Sequence, residues 1–250
     1  MRTILFSASV LALAACGAPT ASESAATEAA PAAPETTVAE TTAAPAEPAA
    51  EAPELAPAGT YAMDPTHASL TWKISHFGLS NYTARFTGLD ATLVFDPEDL
   101  SASQLDVTVD PTSVETDYPG DFKAGHPDSP FDTFDQEISE DESYFNSGTY
   151  PEITFKSTDV TQTGPNTGTV TGDLTFRGVT HPVTLDVTYN GTATFPWAPD
   201  APRMGFSATG SLKRSDFGMG FMIPQLGDEI ELLIEAEFSK VPDAGASESE

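Results

Sequence analysis

The chain has 250 residues, with 38 Asp or Glu against 10 Lys or Arg, so its formal net charge is −28. Binding to nucleic acid or to anionic lipid headgroups needs clustered Lys and Arg, and this composition argues against both. The single cysteine, Cys16, excludes an intramolecular disulfide.

The first residues have the pattern of an export signal. One positive charge, at Arg2, precedes an apolar run that is too short to span a bilayer. Leu13-Ala14-Ala15-Cys16 resembles a bacterial lipobox, in which the cysteine after the cleavage site becomes diacylated. We therefore expect residues 1–15 to be a lipoprotein signal peptide and Cys16 to be the lipidation site. The alternative is ordinary cleavage near Ala-x-Ala, with Cys16 incidental.

The resemblance to a lipoprotein implies a lipid-anchored protein of the bacterial cell envelope, located in the periplasm. Gly17, rather than Asp, follows the cysteine. In lipoproteins of this kind that residue indicates the outer membrane. Residues 16–58 are rich in Ala, Pro, Glu and Thr, and after Cys16 contain no Lys, Arg or aromatic residue. Such a segment cannot bury enough apolar surface to fold, which predicts a disordered linker.

The rest of the chain divides into a folded domain, residues 59–242, and an acidic tail, residues 243–250. About 185 residues suffice for one domain with a sizeable core. From Gly59 onward apolar residues recur with a period of two, as where Leu70, Trp72 and Ile74 alternate with polar neighbours. Eight such segments predict an all-β, antiparallel fold.

Two places break the alternation. In the segment from Ala84 to Phe95 it slips around Gly88, which predicts a β-bulge. Residues 115–147 are acidic and poor in β-branched residues. Their aromatic and aliphatic residues predict one or two short helices near residues 131–147.

Eight antiparallel strands form either a sandwich with a solid core or a closed barrel with a cavity. Small or polar residues recur on the apolar faces, including Ser157, Gly172, Gly210 and Ala236. A solid sandwich more often has Leu or Ile there. Glycine also occurs at barrel corners, so the periodicity leaves both architectures open.

Five separated motifs resemble one family. They are Tyr61-x-x-Asp64-Pro65-x-His67, Leu70-x-Trp72-x-Ile74-x-His76-x-Gly78, Phe145-x-x-x-x-Tyr150-Pro151-Glu152-Ile153-Thr154-Phe155, Gly172-Asp173-Leu174-Thr175-Phe176-Arg177-Gly178-Val179-Thr180-His181-Pro182-Val183, and Arg214-Ser215-Asp216-Phe217-Gly218. In this order they resemble the YceI-like family of secreted, polyisoprenoid-binding, lipocalin-like proteins. The resemblance implies an eight-stranded lipocalin-like β-barrel whose interior holds a long isoprenoid, such as a polyprenyl phosphate or a quinone.

The inward faces of the predicted strands supply the candidate ligand-binding residues. The apolar lining is expected to comprise Trp72, Ile74, Phe155, Leu174, Phe176, Leu185, Phe206, Leu212 and Leu232. The alternative is that these side chains simply fill a core. His76 and Arg214 are the candidates for a polar headgroup, since an imidazole or a guanidinium can donate to phosphate or quinone oxygens. The alternatives are a histidine satisfied by backbone, and a structural ion pair of Arg214 with Asp216 or another acid.

Catalytic and metal-binding patterns are weak. Ser215 and Asp216 meet no histidine in a recognisable motif, and Gly-x-Ser-x-Gly is absent. The four histidines have no paired ligand spacing. We therefore expect that the protein is not an enzyme and that it has no cofactor, no metal and no nucleic-acid partner. With the family resemblance, the expected function is to bind, transport or store an isoprenoid lipid. The alternative is a structural or stress-related envelope module with a filled barrel. The oligomeric state is not readable from the sequence.

Overall fold

The structure is a computed structural model that describes residues 53–242. The predicted signal peptide, Cys16, the linker up to residue 52 and the acidic tail lie outside the described residues. Ten strands are described: β1 (Gly59–His76), β2 (Ser80–Phe86), β3 (Leu89–Phe95), β4 (Gln104–Val109), β5 (Val114–Glu115), β6 (Ile153–Gln162), β7 (Thr167–Phe176), β8 (Val179–Phe195), β9 (Ala198–Lys213) and β10 (Leu226–Lys240).

Eight of these strands close into an antiparallel β-barrel. The order around the barrel is β1, β3, β4, β6, β7, β8, β9, β10, and β10 pairs again with β1. The N-terminal part of β1 pairs with β3, whereas its C-terminal part pairs with β2, which in turn pairs with β5. The barrel predicted from the sequence is therefore confirmed, and the sandwich is excluded.

The predicted bulge at Gly88 is a complete break in the strand. β2 ends at Phe86 and β3 begins at Leu89, so the two occupy different parts of β1. Space is short at this point, because a β-carbon on Gly88 would lie 2.9 Å from Cβ of Ser113. The Gly88 carbonyl accepts a hydrogen bond from the Asp110 amide at 2.9 Å, next to the pair of Leu89 with Val109 in β3 and β4.

Two short helices lie between β5 and β6. The helix α2 (Phe134–Glu140) lies within the predicted range of 131–147, but α1 (Phe122–Gly125) begins earlier than predicted. The Asp121 carboxylate accepts from the Ala124 amide at 3.0 Å and caps α1. Four residues are too few for a helical period in the sequence, which is why α1 was not predicted.

The folded body begins before residue 59, so the predicted linker boundary at residue 58 is too late. Ala56 is only 1% exposed. The Tyr61 hydroxyl donates to the Pro57 carbonyl at 2.7 Å, and the Tyr189 hydroxyl donates to the Glu54 carbonyl at 3.1 Å. Hydrogen bonds from these two buried tyrosines thus connect residues 54 and 57 to the folded domain, although the composition of that segment by itself predicts a linker.

The glycines on the inward faces make room for neighbouring side chains. A β-carbon on Gly172 would overlap the ring of Phe155 and lie 2.5 Å from the Lys156 carbonyl oxygen. One on Gly210 would lie 2.6 Å from Cδ2 of Leu185. These two positions therefore accommodate the side chains of Phe155 and Leu185 within the barrel wall.

Replacing Gly172 with alanine is expected to lower the free energy of unfolding by about 1–3 kcal/mol, because the added carbon overpacks the barrel wall. The matched control is Gly220→Ala, since a β-carbon there has no neighbour within 4 Å. Its effect should stay within about 0.5 kcal/mol. Urea titration of both variants measures the difference, and equal effects would contradict the close approach at Gly172.

The Asp64-Pro65-Thr66-His67 motif forms an irregularity in β1, between the paired residues Met63 and Ala68. The Asp64 carboxylate accepts from the amide and hydroxyl of Thr66 at 2.9 and 2.6 Å. It also accepts from the Arg203 guanidinium at 2.9 Å. The hydrogen bonds from Thr66, followed by His67, hold the pKa of the Asp64 carboxyl well below its ordinary value of 3.8.

Asp64→Asn is expected to lower the free energy of unfolding at pH 7 by about 1 kcal/mol, because the carboxylate is hydrogen-bonded but partly screened by solvent. A carboxyl whose pKa is lower in the folded state stabilises it fully above the unfolded pKa, and this stabilisation is lost as the pH falls through the folded pKa. The difference between the two proteins should therefore narrow below about pH 4. Urea titration at neutral and acidic pH measures this, and a constant difference would contradict it.

Candidate functional site

The barrel encloses two chambers that lie along its axis. The large chamber has a volume of about 550 Å³ and the small chamber about 230 Å³. They share four wall residues, namely Leu70, Val107, Leu185 and Ile234. Ligand pockets in proteins typically have volumes of about 300–1,000 Å³, so the large chamber alone is of ligand size.

The nine residues predicted as an apolar lining all lie on a chamber wall. Eight line the large chamber and Phe206 lines the small one, while Leu185 belongs to both. Their inward direction follows from the period of two along β1, β6, β7, β8, β9 and β10, because successive side chains point to opposite faces of a strand. Their role in binding a ligand stays a prediction.

Aromatic side chains from the segment between β5 and β6 close one side of the large chamber. The Phe145 ring lies 5.5 Å from those of Phe86 and Phe176 and 6.3 Å from that of Trp72, measured between centroids. Phe134 of α2 packs on Tyr82. The sequence placed these aromatics in short helices but not on the cavity, because their spacing has no strand period.

Arg214 is buried beneath the loop that joins β9 to β10, with 4% of its surface exposed. Its guanidinium donates to four backbone carbonyls, two in this loop and two in the first residues of β10. Nε bonds to Gly227 at 2.8 Å, Nη1 to Met219 at 2.9 Å, and Nη2 to Phe221 at 2.8 Å and Leu226 at 3.1 Å. Most of its five N–H groups are therefore used inside the protein.

The structure corrects the alternative that Arg214 pairs with Asp216, because carbonyls of the loop and of the start of β10 accept its hydrogen bonds instead. Burial lowers the pKa of Arg214 below its ordinary value, and the nearby Asp228 acts in the opposite direction. The Arg214 side chain lines the large chamber. Its role toward a headgroup stays a prediction, and its hydrogen bonds show a role in shaping the loop.

His76 lies at the open end of the large chamber. It is the last residue of β1 and is exposed, and its ring packs against Phe77 at 4.8 Å between centroids. This position suits a side chain that contacts a polar headgroup. The role of His76 in binding a headgroup stays a prediction.

The large chamber also contains polar groups that the sequence did not single out. Trp72 is 9% exposed, and its indole nitrogen has no hydrogen-bond partner in the described part of the chain. Burial raises the pKa of Tyr144 and of Tyr82, so both phenols are neutral at neutral pH. The Tyr82 hydroxyl donates to the Thr116 carbonyl at 3.0 Å. The chamber is thus apolar, with few donors.

Two further observations concern the described residues as a whole. Among residues 53–242, no three His, Cys, Asp or Glu side chains converge as metal ligands do. Across the same residues, no helix has the length and apolar character to cross a membrane.

Comparison with known proteins identifies the family. The YceI-like domain model matches residues 61–238. The protein YceI of Escherichia coli O6:H1 is 32% identical over 184 residues, which are 73% of this chain and 87% of that protein. The crystal structure of the YceI protein of Campylobacter jejuni is 30% identical, with a TM-score of 0.55, covering 68% of this chain and 91% of that one.

A more distant structure shares the fold. A polyisoprenoid-binding domain from Saccharophagus degradans, implicated in plant cell wall breakdown, matches with a TM-score of 0.51 and 13% identity, covering 72% of this chain and 98% of that domain. At this identity the likeness shows the fold alone. From the family match over most of the barrel and the YceI relatives, we conclude that the chain belongs to the YceI-like domain family.

Proposed function

We propose that this protein binds a long-chain isoprenoid lipid, such as a polyprenyl phosphate or a quinone, inside its barrel, and carries or stores it without chemical conversion. The observation that carries the proposal is the pair of adjoining apolar chambers along the barrel axis. The polyisoprenoid-binding domain of the same fold in Saccharophagus degradans supports this class of cargo.

The shape of the cavity suits a chain rather than a compact ligand. The chambers adjoin at Leu70, Val107, Leu185 and Ile234, so one tail can extend from the large chamber into the small one. Burial of one five-carbon unit contributes about 4 kcal/mol, at about 0.8 kcal/mol per carbon. A few units therefore supply the free energy of nanomolar binding before ordering costs.

The open end of the large chamber is the proposed place for the polar headgroup. His76 lies there, and the unpaired indole N–H of Trp72 belongs to the same chamber. Two further arginines are engaged in ion pairs: Arg85 pairs with Glu115, and Arg203 pairs with Asp64. We therefore expect an anionic headgroup to lie near His76 and Arg214, which both line the large chamber.

The proposed location is the bacterial cell envelope, with the chain anchored through acylated Cys16, on the periplasmic side of the outer membrane. The pattern Leu13-Ala14-Ala15-Cys16 followed by Gly17 supports this. Cys16→Ser is the test of the anchor. Loss of the protein from the membrane pellet is expected, and its retention there would contradict lipidation.

The alternative of a structural envelope module with a filled barrel fits the cavity less well. Side chains that fill a barrel leave few voids larger than a water molecule. The large chamber, at about 550 Å³, exceeds that many times.

The cargo is tested on full-length protein purified from its own envelope. Native mass spectrometry and organic extraction are expected to give one isoprenoid per chain. Part of the same preparation is then delipidated and refilled with either a polyprenyl phosphate or a quinone. Native mass spectrometry of the two samples compares how well the barrel retains each headgroup. Purified protein with an empty barrel and no extractable isoprenoid would contradict the proposal.

A further inference from the structure

The mouth of the large chamber is surrounded by exposed apolar side chains. Phe77 and Leu79 belong to the β1–β2 turn, Phe221 and Met222 belong to the β9–β10 loop, and Tyr118 follows β5. They are 38–87% exposed and make up half of the exposed large hydrophobic residues in the described chain. We call these five residues the mouth rim.

The rim is continuous with the cavity wall. Phe77, Tyr118 and Met222 are exposed and also line the large chamber. The two loops are joined, because the Phe77 amide donates to the Gln225 carbonyl at 2.7 Å. An apolar surface therefore runs without interruption from solvent into the chamber.

The backbone holds two rim side chains in an unfavourable conformation. Phe77 and Met222 have φ values of 53° and 55°, in the left-handed region that bulky residues rarely adopt. Such strain persists where the surrounding structure enforces it, and it is concentrated at functional sites. Here it accompanies two exposed apolar side chains at the mouth of a cavity.

The two rim loops lack charge in an otherwise acidic protein. Residues 75–81 and 218–227 contain no Asp, Glu, Lys or Arg, although 48 of the 250 residues are charged. The segment beside Tyr118 has acidic residues, including Asp117 and Asp121. An uncharged apolar rim beside acidic residues fits a neutral, zwitterionic membrane surface and is repelled by an anionic one.

The chain outside the structure is long enough to allow this contact. It enters at Pro53, near the small chamber and thus at the end of the barrel opposite the rim. Thirty-six residues separate Cys16 from Pro53, and at about 3.3 Å per residue they reach at most about 120 Å. The 18-residue strand β1 spans about 60 Å, so an anchored barrel can present its far end to the same membrane.

We propose that the mouth rim docks on the surface of a zwitterionic lipid bilayer, so that the cargo passes between membrane and cavity without crossing water. This inference rests on the proposed function, since a lipid cargo is what gives the contact its purpose. The two rim loops have no charged group to specify a protein partner. The continuity of the rim with the chamber favours a lipid surface over a second copy of the chain.

The test uses full-length protein carrying Cys16→Ser, in which an introduced cysteine is the only thiol. Leu79→Cys places an environment-sensitive fluorophore on the rim, at a residue that is 87% exposed and contributes little to packing. Leu233→Cys is the matched control, because this exposed residue lies within β10, away from the mouth. Each labelled protein is mixed with vesicles of phosphatidylcholine and phosphatidylethanolamine whose acyl chains carry bromine quenchers.

A blue shift and quenching are expected at position 79 and not at position 233. Replacing part of the phosphatidylethanolamine with phosphatidylglycerol should weaken the response. Adding Phe221→Asn should lower vesicle partitioning by about tenfold, because transfer of a large apolar side chain out of water is worth at least that factor. Val94→Asn, an exposed residue of β3, should leave it unchanged.

No response at position 79, or equal responses at both positions, would overturn the proposal. So would a response that rises with protein concentration in the absence of vesicles, because that result assigns the rim to a second copy. Isoprenoid extraction from the same preparations separates the two proposals. Bound isoprenoid without vesicle contact contradicts only the docking, and vesicle contact without isoprenoid contradicts only the cargo.

Discussion

Replacing Arg214 with glutamine is expected to lower the free energy of unfolding by about 3–5 kcal/mol. The guanidinium is buried and donates to the carbonyls of Met219, Phe221, Leu226 and Gly227. A glutamine amide is shorter and has two donors, so several of these carbonyls would be left without a partner. Urea titration measures the loss.

The exposed arginine Arg85 provides the control. It pairs with Glu115 on the barrel surface. Surface ion pairs contribute little, so Arg85→Gln should hardly change the unfolding midpoint. If Arg214→Gln were as mild as Arg85→Gln, the loop would not depend on Arg214. The stable variant could then be used to test Arg214 as a headgroup ligand directly.

Ala208→Phe is expected to shorten the isoprenoid that the barrel accepts. Ala208 is buried and lines the small chamber, opposite Val187 and Ile234 of the neighbouring strands. A phenyl ring there occupies the space proposed for the far end of the tail. Displacing one five-carbon unit removes about 4 kcal/mol of burial, so retention of the longest chains should fall tenfold or more. Mass spectrometry of extracted lipid gives the chain-length distribution.

The matched control is Thr209→Phe, because Thr209 is the next residue along β9 and is exposed on the outside of the barrel. It adds the same ring without entering the chamber, so the extracted lipids should match those of the parent protein. An unchanged chain-length distribution in Ala208→Phe would show that the tail does not reach the small chamber.

The sequence predicted the barrel wall better than its closure. The alternation of Leu70, Trp72 and Ile74 predicted which side chains face inward, because a strand has a strict period of two. The packing of Phe145 against Phe86, Phe176 and Trp72 was not predicted as part of the cavity, because Phe145 and its neighbours in the chain follow no strand period. The role of Arg214 was equally hidden, since its partners are backbone carbonyls, which every residue has.

The ends of the barrel show the same limit. The composition of residues 16–58 predicted a linker throughout, yet Ala56 is buried and Glu54 and Pro57 accept hydrogen bonds from Tyr189 and Tyr61. The Glu54 carbonyl has its partner in Tyr189, a residue far away in the sequence, so composition near residue 54 could not predict this hydrogen bond. Similarly, Gly88 predicted an irregularity, but only the pairing of β1 with both β2 and β3 made it a break.

The sequence by itself determined the strand pattern, the inward apolar faces, the family resemblance and the acidic exterior. Each of these depends on local periodicity, on composition or on motifs, which a single chain displays directly. The tertiary structure alone decided which strands pair to close the sheet, that two chambers adjoin inside it, and that an uncharged apolar rim surrounds one mouth. Those features arise from contacts between residues far apart in sequence, whose free energy depends on which strands become neighbours.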